Sequence, residues 1–461
     1  MATIAENLQT IIDIKDNIKT AIENKGVDMT NTPFSEYSTK IDEITTGGGD
    51  TTTYSYKTPT ADVEGLKALG WDDESIGYFR DNNLCYDWQK DNYIVTEGNK
   101  ELYGVVTKDN ISTYKSDPNF VYCPMIDTSN VKSMYGMFYE SSSLQSIPLL
   151  DTSNVTDMGS MFNNCSLLQS ISPIDTAKVG VMKSMFYNCS SLTTIPLLNT
   201  SNVTNMSYMF YNCTKLQSIP LLDTSNVTDM GSMLNNCSLL QSIPLFNTSN
   251  ATIMGGMFTG CKSLTTIPLL DTAKVVNMNS MFSSCEILQS IPLLDTSNVK
   301  YMARMFGDCS SLTTIPLLNT GNVTDMSNMF YYCSNLQSIP ELNTSNVTNM
   351  QRMFYNCTKL QSIPLLECGN ATNMNSFFSW SNINTLTDLG GFKDLKISIT
   401  SDFLDKCPNL TIDSLMNVIN NLYDLIGNGL SGQSLKFGST NLNKLTAEQI
   451  AVATAKGWTL T

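Results

Sequence analysis

A methionine returns every 24 residues through the middle of this chain, and this period constrains the fold more than any other feature. It stands at Met134, Met158, Met182, Met206, Met230, Met254, Met278, Met302, Met326, Met350 and Met374. A second methionine follows three residues later in each unit, until Phe377 takes its place. A unit of this length cannot bury its apolar side chains alone, so units must stack on one another. We therefore predict that residues 125–380 form one solenoid of eleven units.

The spacing of apolar residues inside a unit predicts its local structure. One unit carries Val155, Met158, Met161, Phe162 and Cys165. These intervals of three, three, one and three are typical of one stripe of an α-helix, and the polar residues 151–154 supply capping oxygens. Leu168 and Ile171 predict a short strand that pairs in parallel with neighbouring units. The predicted fold class is an α/β solenoid, a leucine-rich-repeat-like array of 24-residue strand-turn-helix coils with N- and C-terminal caps.

The N-terminal end differs from the array. Residues 1–45 predict a helical attachment module, and the glycine-rich residues 46–53 predict a flexible linker. An apolar seam at alternating intervals of four and three runs through Ile4, Leu8, Ile11, Ile18 and Ile22, with Lys15 as its one polar member. This seam indicates either a coiled coil, with a homotrimer or tetramer favoured over a dimer, or an amphipathic helix packed within its own small domain.

Both ends of the array need a cover for their apolar faces. Residues 54–124, dense in aromatic side chains, predict a mixed N-terminal cap segment, although a ligand site there is an alternative. Residues 381–461 predict a C-terminal cap with helices over 410–422 and 447–456.

Charge and composition restrict the function. The net charge is −15, and an acidic surface repels nucleic-acid phosphates and anionic membranes. No apolar run reaches the ~18–20 residues that cross a bilayer. The chain has no histidine, the commonest general base and a common metal ligand. We therefore predict no enzyme and no catalytic residues, no cofactor, no metal, no nucleic-acid partner and no membrane partner.

Several repeated side chains could carry chemistry, but their period favours structural roles. Free thiols in the core are predicted for Cys165, Cys189, Cys213, Cys237, Cys261, Cys285, Cys309, Cys333 and Cys357. Disulfides between adjacent coils are the alternative. The helical spacing of the methionines favours core packing over a metal site. Capping is favoured over a calcium row for Asp151, Asp223, Asp271 and Asp295, because asparagines interrupt the row.

A polar column on the predicted strand surface is the candidate ligand face. It comprises Gln145, Gln169, Thr193, Gln217, Gln241, Thr265, Gln289, Thr313, Gln337 and Gln361. Such a repetitive strip suits contact with a glycan, and it equally suits solubility. Tyrosines that follow the phenylalanine of their units, either as exposed contacts or as packing between coils, are Tyr187, Tyr211, Tyr331 and Tyr355.

The repeat resembles a known type. One unit reads Leu222-Asp223-Thr224-Ser225-Asn226-Val227-Thr228, then Met230, Met233, Cys237, Leu240 and Ile243-Pro244. This unit resembles the BspA-type leucine-rich repeat, also described as the Mycoplasma-lipoprotein-like repeat, and the resemblance covers residues 125–380. Leu234 stands where phenylalanine is usual, and Ser172-Pro173 displaces a proline by one position. The resemblance implies a setting among bacterial surface adhesins, protist surface proteins or phage virion proteins.

A second, shorter resemblance favours the virion. Residues 14–27 and 32–37 resemble N-terminal segments of phage tail and fibre proteins, and no export signal or surface anchor is visible. We therefore predict a virion structural protein of the tail or fibre, assembled in the host cytoplasm. Its N-terminal module would dock on other virion proteins, and its solenoid would bind host-surface glycan or protein. The alternatives are a decoration protein that contacts only other virion proteins, and a polysaccharide depolymerase.

Overall fold

The computed structural model describes residues 84–87, 92–97, 100–101, 128, 131–145, 147, 150–378 and 382–461. The predictions for the attachment module and the linker, residues 1–45 and 46–53, lie outside these residues. Within the mixed segment, β1 (Leu84–Asp87), β2 (Asn92–Glu97) and β3 (Lys100–Glu101) form an antiparallel sheet in that order. The boundaries of the two predicted cap segments stay predictions.

The array is a stack of coils held together by backbone hydrogen bonds from coil to coil. Alternate residues from 158 to 164 donate their N–H groups to carbonyls 23 residues ahead, as Phe162 does to Met185 at 2.9 Å. A single-residue parallel bridge joins each coil to the next at one fixed position, from Ser133 through Asp157 to Asn373. Because these bonds lie between units, no unit holds its shape without a neighbour.

The predicted helix over the methionine stripe is wrong, and consecutive turns replace it. Met161 donates its N–H to the Met158 carbonyl at 3.2 Å, and Cys165 donates to Phe162 at 3.0 Å. Ser160 and Asn164 have φ of 53° and 65°, and a positive φ at the third residue marks a type II turn. A helix cannot hold such left-handed residues, whereas two consecutive turns bury the same stripe.

The predicted parallel pairing occurs, but its position is different. In most coils it runs through the column of Asp157, while the segment around Leu168 and Ile171 is linked by bonds such as Thr193 N–H to Gln169 O at 3.1 Å. In that segment, parallel pairing as predicted occurs near the end of the array, at the Ser338–Ser362 bridge and in the strand Ser362–Ile363. A proline in most units removes a donor from that segment and shortens any ladder there.

Regular strands follow at the C-terminal end of the array. They are β4 (Ser362–Ile363), β5 (Leu366–Glu367), β6 (Asp388–Leu389) and β7 (Phe392–Lys393). The β4–β6 and β5–β7 pairs are parallel, in register at Ser362–Asp388 and Leu366–Phe392.

Identical side chains stack through the core. The phenylalanines at the position of Phe162 pack ring on ring, with centroids 5.4–5.9 Å apart and interplanar angles of 3–12°. The periodic cysteines are buried and free, as predicted, and each thiol bonds to a carbonyl of the preceding coil, as Cys165 does to Phe138 at 3.1 Å. The periodic methionines are buried as well, which confirms their assignment to the core.

In most coils a buried threonine hydroxyl donates a hydrogen bond to a backbone carbonyl of the next coil. This bond is missing on both sides of the displaced proline. Thr224 donates its hydroxyl to the Asn247 carbonyl at 2.8 Å. Thr152 and Thr176 flank the Ser172-Pro173 segment, and their buried hydroxyls have no hydrogen-bond partner among the described residues. The departure from the usual repeat therefore changes local bonding while the stack continues through it.

The C-terminal region holds three α-helices: α1 (Ile412–Asn421), α2 (Ser439–Leu442) and α3 (Ala447–Ala455). A 3-10 helix spans Leu404–Lys406, and β8 (Gln433–Leu435) pairs in parallel with β9 (Trp458–Leu460). The helices predicted over 410–422 and 447–456 are confirmed, and a capping box formed by Thr446 and Gln449 begins α3. No helix among the described residues has the length and apolar character needed to span a bilayer.

Candidate binding faces of the repeat array

The predicted ligand column lies on the surface as one continuous row. All ten of its residues, from Gln145 to Gln361, are exposed. Each stands next to a buried leucine of the core, such as Leu168 beside Gln169. The alternation of buried and exposed side chains therefore holds at this position, and the role of the column in ligand contact stays a prediction.

A second face, partly exposed and absent from the predicted sites, is formed by the consecutive turns. We call it the turn face, and it comprises the positions equivalent to 157, 159, 160, 163 and 164 in each coil. Three tyrosines meet on it. Tyr187 and Tyr211 stack with ring centroids 4.6 Å apart, and Tyr208 is tilted against Tyr211 at 5.9 Å. These three residues are the first tyrosine triad.

The second tyrosine triad lies six coils further along and consists of Tyr331, Tyr332 and Tyr355. Tyr331 and Tyr355 stack at 5.2 Å, and Tyr332 is tilted against Tyr331 at 4.6 Å. The Arg304 guanidinium lies 5.2 Å from the centre of the Tyr331 ring, and it also pairs with Asp308 at 2.5 Å. Both alternatives for the four predicted tyrosines hold in part, since they pack between coils and remain partly exposed.

Partial burial changes the acidity of these phenols. Burial, followed by the neighbouring tyrosines, raises the pKa of Tyr187, and the same causes raise the pKa of Tyr355. As in any tyrosine, the hydroxyls are protonated at neutral pH and are available as hydrogen-bond donors.

A cleft of about 440 Å³ begins at the first triad and continues over the next coils. Tyr208 forms part of its lining, together with Gly231, Gly255 and Gly256 and polar groups that include Asn235 and Asn279. Gly256 has a φ of +67°, and a Cβ there would lie 2.8 Å from the Ser232 hydroxyl. Glycine suits this left-handed position, and the small side chains here leave room above the backbone.

A third exposed feature is an apolar ridge, which we call the leucine column. It comprises Leu197, Leu221, Leu245, Leu269, Leu293 and Leu317, each 62–71% exposed. Glu341 takes the next position, and a cavity of about 690 Å³ lies there between Leu317 and Leu365. The sequence shows adjacent leucines after the prolines, but the structure is needed to show that the first of each pair is exposed.

The repeated aspartates act as local caps, although of turns rather than of the predicted helices. The Asp223 carboxylate accepts the Ser225 N–H at 3.0 Å, an Asx-turn that closes on itself. Hydrogen bonds from Ser225 lower the pKa of Asp223, and the equivalent bonds lower that of Asp295. Among the described residues, no group of three or more His, Cys, Asp or Glu side chains could hold a metal ion.

The repeat has a known family model. The model described as "Mycoplasma protein of unknown function, DUF285" matches residues 119–219, 192–290 and 286–389, together more than half of the chain. Comparison with curated proteins finds no match.

Several solved structures are similar to this chain, and leucine-rich repeat proteins are among them. A leucine-rich cell surface protein from Faecalibacterium prausnitzii A2-165 is 20% identical, over 64% of this chain and 85% of that chain, with a TM-score of 0.38. A leucine-rich repeat protein from Bacteroides ovatus ATCC 8483 is 17% identical, over 71% and 86%, with a TM-score of 0.35. Another from Eubacterium ventriosum ATCC 27560 is 18% identical, over 60% and 81%, with a TM-score of 0.39.

Proposed function

Because the chain belongs to the family of Mycoplasma-type repeat proteins described as DUF285, we propose that its solenoid is a non-enzymatic scaffold that binds a cell surface, with glycan as its ligand. The observation that carries this proposal is the register of the exposed side chains. Two exposed columns recur coil after coil, the Gln/Thr column from Gln145 to Gln361 and the leucine column, so the array presents long rows of identical or similar groups. Rows of this kind match a ligand that is itself extended and repetitive, as a surface polysaccharide is.

The same geometry disfavours the depolymerase alternative. Glycoside hydrolysis needs a pair of carboxyl groups, one of them a general acid with a raised pKa. The pKa values of Asp223 and Asp295 are instead lowered by bonds to their own turns. Both carboxylates accept hydrogen bonds from backbone N–H groups, which favours the ionised form and leaves them unsuited to protonating a leaving group.

The proposed setting is a phage virion, with the protein as a tail or fibre component. The support is the resemblance of residues 14–27 and 32–37 to N-terminal segments of tail and fibre proteins. In this setting the N-terminal module attaches to other virion proteins, and the array contacts the host. The decoration-protein alternative shares the attachment and lacks the host contact.

Cell binding tests the proposal directly. Labelled full-length protein is titrated onto bacterial cells, with a leucine-rich-repeat solenoid of unrelated sequence as the control. We expect saturable binding above the control, and we expect mild periodate treatment of the cells, which cleaves sugar diols, to abolish it. Binding no greater than the control refutes the scaffold proposal, and periodate-resistant binding refutes glycan as the ligand. Sedimentation of the chain with intact phage particles tests the virion setting, and its absence from them contradicts it.

A further inference from the structure

The two tyrosine triads and the cleft between them form a candidate site that differs from the predicted glutamine column. The nearest members of the two triads, Tyr211 and Tyr331, are five coils apart. At the ~4.8 Å spacing of paired strands this is about 24 Å along the array. Over this interval, the position of Tyr211 is occupied by Asn235, Thr259, Ser283 and Gly307. At the position of Tyr211 the turn face is therefore aromatic at both ends and small and polar in between, while Ile253 and Tyr301, at the position of Asp157, add exposed apolar groups to this section.

The polar section offers hydrogen-bonding groups close to the surface. Thr259 donates its hydroxyl to the Ser280 carbonyl at 2.5 Å, and the Asn235 amide lies 3.4 Å from the Gly256 carbonyl. An amide has two donor hydrogens and a carbonyl oxygen, so one bond to the backbone leaves further capacity. These groups line or border the cleft without filling it.

Two of the tyrosines occupy backbone positions that a tyrosine does not favour. Tyr208 and Tyr332 have φ of 59° and 58°, in the left-handed region that bulky side chains rarely adopt. Other coils place Ser160 or Gly256 at the first of these positions and Asn164 at the second, residues that tolerate this conformation better. Backbone preference does not explain a tyrosine at either position. Both residues are 38–40% exposed and complete a triad.

Charge indicates which glycans would fit. The chain has a net charge of −15, and Asp229 lines the cleft. Beside the second triad, Arg304 is neutralised by its pair with Asp308, and Arg352 lies over the Tyr355 ring at 6.0 Å, so the repulsion of an acidic sugar comes from the net charge and from Asp229 in the cleft. An acidic sugar would meet repulsion that a neutral one does not.

From these observations we propose that the turn face binds a neutral, linear glycan along the axis of the array. The apolar C–H faces of pyranose rings pack against the tyrosine triads, and the sugar hydroxyls bond to the side chains and backbone of the cleft. This proposal rests on the proposed function and assigns it a site.

The test uses the full chain and defined probes. Cellohexaose, laminarihexaose and mannohexaose are titrated by calorimetry, with a galacturonic acid hexamer as the acidic counterpart. The key variant is Tyr208→Asn combined with Tyr332→Asn, which introduces a residue suited to the left-handed backbone. We expect at least a tenfold loss of affinity for the neutral hexaose that binds, with an unchanged or raised urea midpoint. The matched control, Gln217→Ala with Gln241→Ala in the glutamine column, should leave the affinity unchanged.

The outcomes separate the site from the function. If a neutral hexaose binds and the tyrosine variant binds it equally well, the turn face is not the site, whereas glycan binding as such stands. Preference for the galacturonic acid hexamer, or loss of affinity in the glutamine control alone, also overturns the assignment. If no neutral hexaose binds, the inference fails, while periodate-sensitive binding to cells still decides the proposed function independently.

Discussion

The phenylalanine stack that runs through the core is interrupted once, and this interruption permits a test with an internal template. Leu234 lies fully buried between Phe210 and Phe258, where every neighbouring coil has a phenylalanine. Residues 149–171 and 221–243 are otherwise identical, and the first of these segments carries Phe162. We predict that Leu234→Phe stabilises the protein, and that Phe162→Leu destabilises it.

The magnitude follows from the ring geometry. A phenylalanine at 234 gains a stacked neighbour on each side, and each such pair contributes about 0.5–1.5 kcal/mol beyond burial. Overpacking opposes this gain by about 1–3 kcal/mol where the backbone is too tight. The coil-to-coil bond is 3.0 Å at Leu234 and 2.9 Å at Phe162, so the backbone spacing already suits a ring. The net gain expected for Leu234→Phe is therefore about 1–2 kcal/mol.

The reverse change removes two stacked pairs, each now at 5.4 Å, and leaves a small void. Its expected cost is about 2–4 kcal/mol. Urea unfolding followed by far-ultraviolet circular dichroism measures both changes, and an unchanged slope shows that the compared states are the same. Leu234→Met controls for volume without a ring, and its midpoint should stay near that of the parent. A lower midpoint for Leu234→Phe would refute the reasoning, because it would mean that the space around residue 234 is too small for a phenyl ring.

Three further predictions concern the bonds between coils and can be tested in the same urea assay. Thr224→Val should lower the free energy of unfolding by about 1–3 kcal/mol, because it removes a buried hydrogen bond to the next coil. Thr152→Val should leave the free energy of unfolding unchanged, because its hydroxyl makes no such bond. Equal effects at these matched positions would contradict the role given to the displaced proline. Asn212→Val should lower the free energy of unfolding by about 2–3 kcal/mol, because valine disfavours the left-handed φ of 59° and two side-chain hydrogen bonds are lost. Asn212→Gly should lower it less, because glycine accepts this φ. Burial raises the pKa of Cys261 in the folded protein to about 12. As the pH rises, the thiol therefore ionises in the unfolded chain before it ionises in the folded one. Under reducing conditions, stability should therefore fall from about pH 8.5 towards pH 12, by about 1.4 kcal/mol per pH unit for each such thiol, and a midpoint unchanged between pH 8 and pH 10 would refute this.

The sequence predicts the stack and the composition of its core, because a strict period leaves one assignment for each buried position. Its prediction of a helix fails because intervals of three, one and three fit two different backbones. The side chains from Met158 to Cys165 point inward from an α-helix, and they also point inward from two type II turns. The discriminating signal lies between them. Residues equivalent to Ser160 and Asn164 are mostly serine, glycine or asparagine, which suit left-handed turn positions better than the interior of a helix.

The candidate site is harder to predict, since its members are distant in sequence and share no motif. The sequence shows that Tyr187 and Tyr211 occupy equivalent positions. Tyr208 occupies a different position, equivalent to Ser160. It meets the other two only because the turns place the positions of Ser160 and Asn163 on the same face. Had the segment been a helix, the face would have been arranged differently and the cleft would be absent.

The residues at equivalent positions vary little in the core of the array and much more on the turn face. The buried column at Phe162 departs from phenylalanine once in eleven coils, at Leu234. The column at Ser160, which is buried at Ser160 and Gly256 and exposed at Tyr208 and Arg304, carries glycine, serine, tyrosine, asparagine and arginine, although every one of these residues must adopt the left-handed conformation. Duplication copies both columns equally, so this difference arises from what each position tolerates and from what it contacts. If backbone preference alone governed this column, asparagine and glycine would predominate there. Arg304 is held within the array by Asp308 and Tyr331, whereas Tyr208 is 40% exposed at a backbone position that tyrosine does not favour, which supports the proposed contact on the turn face.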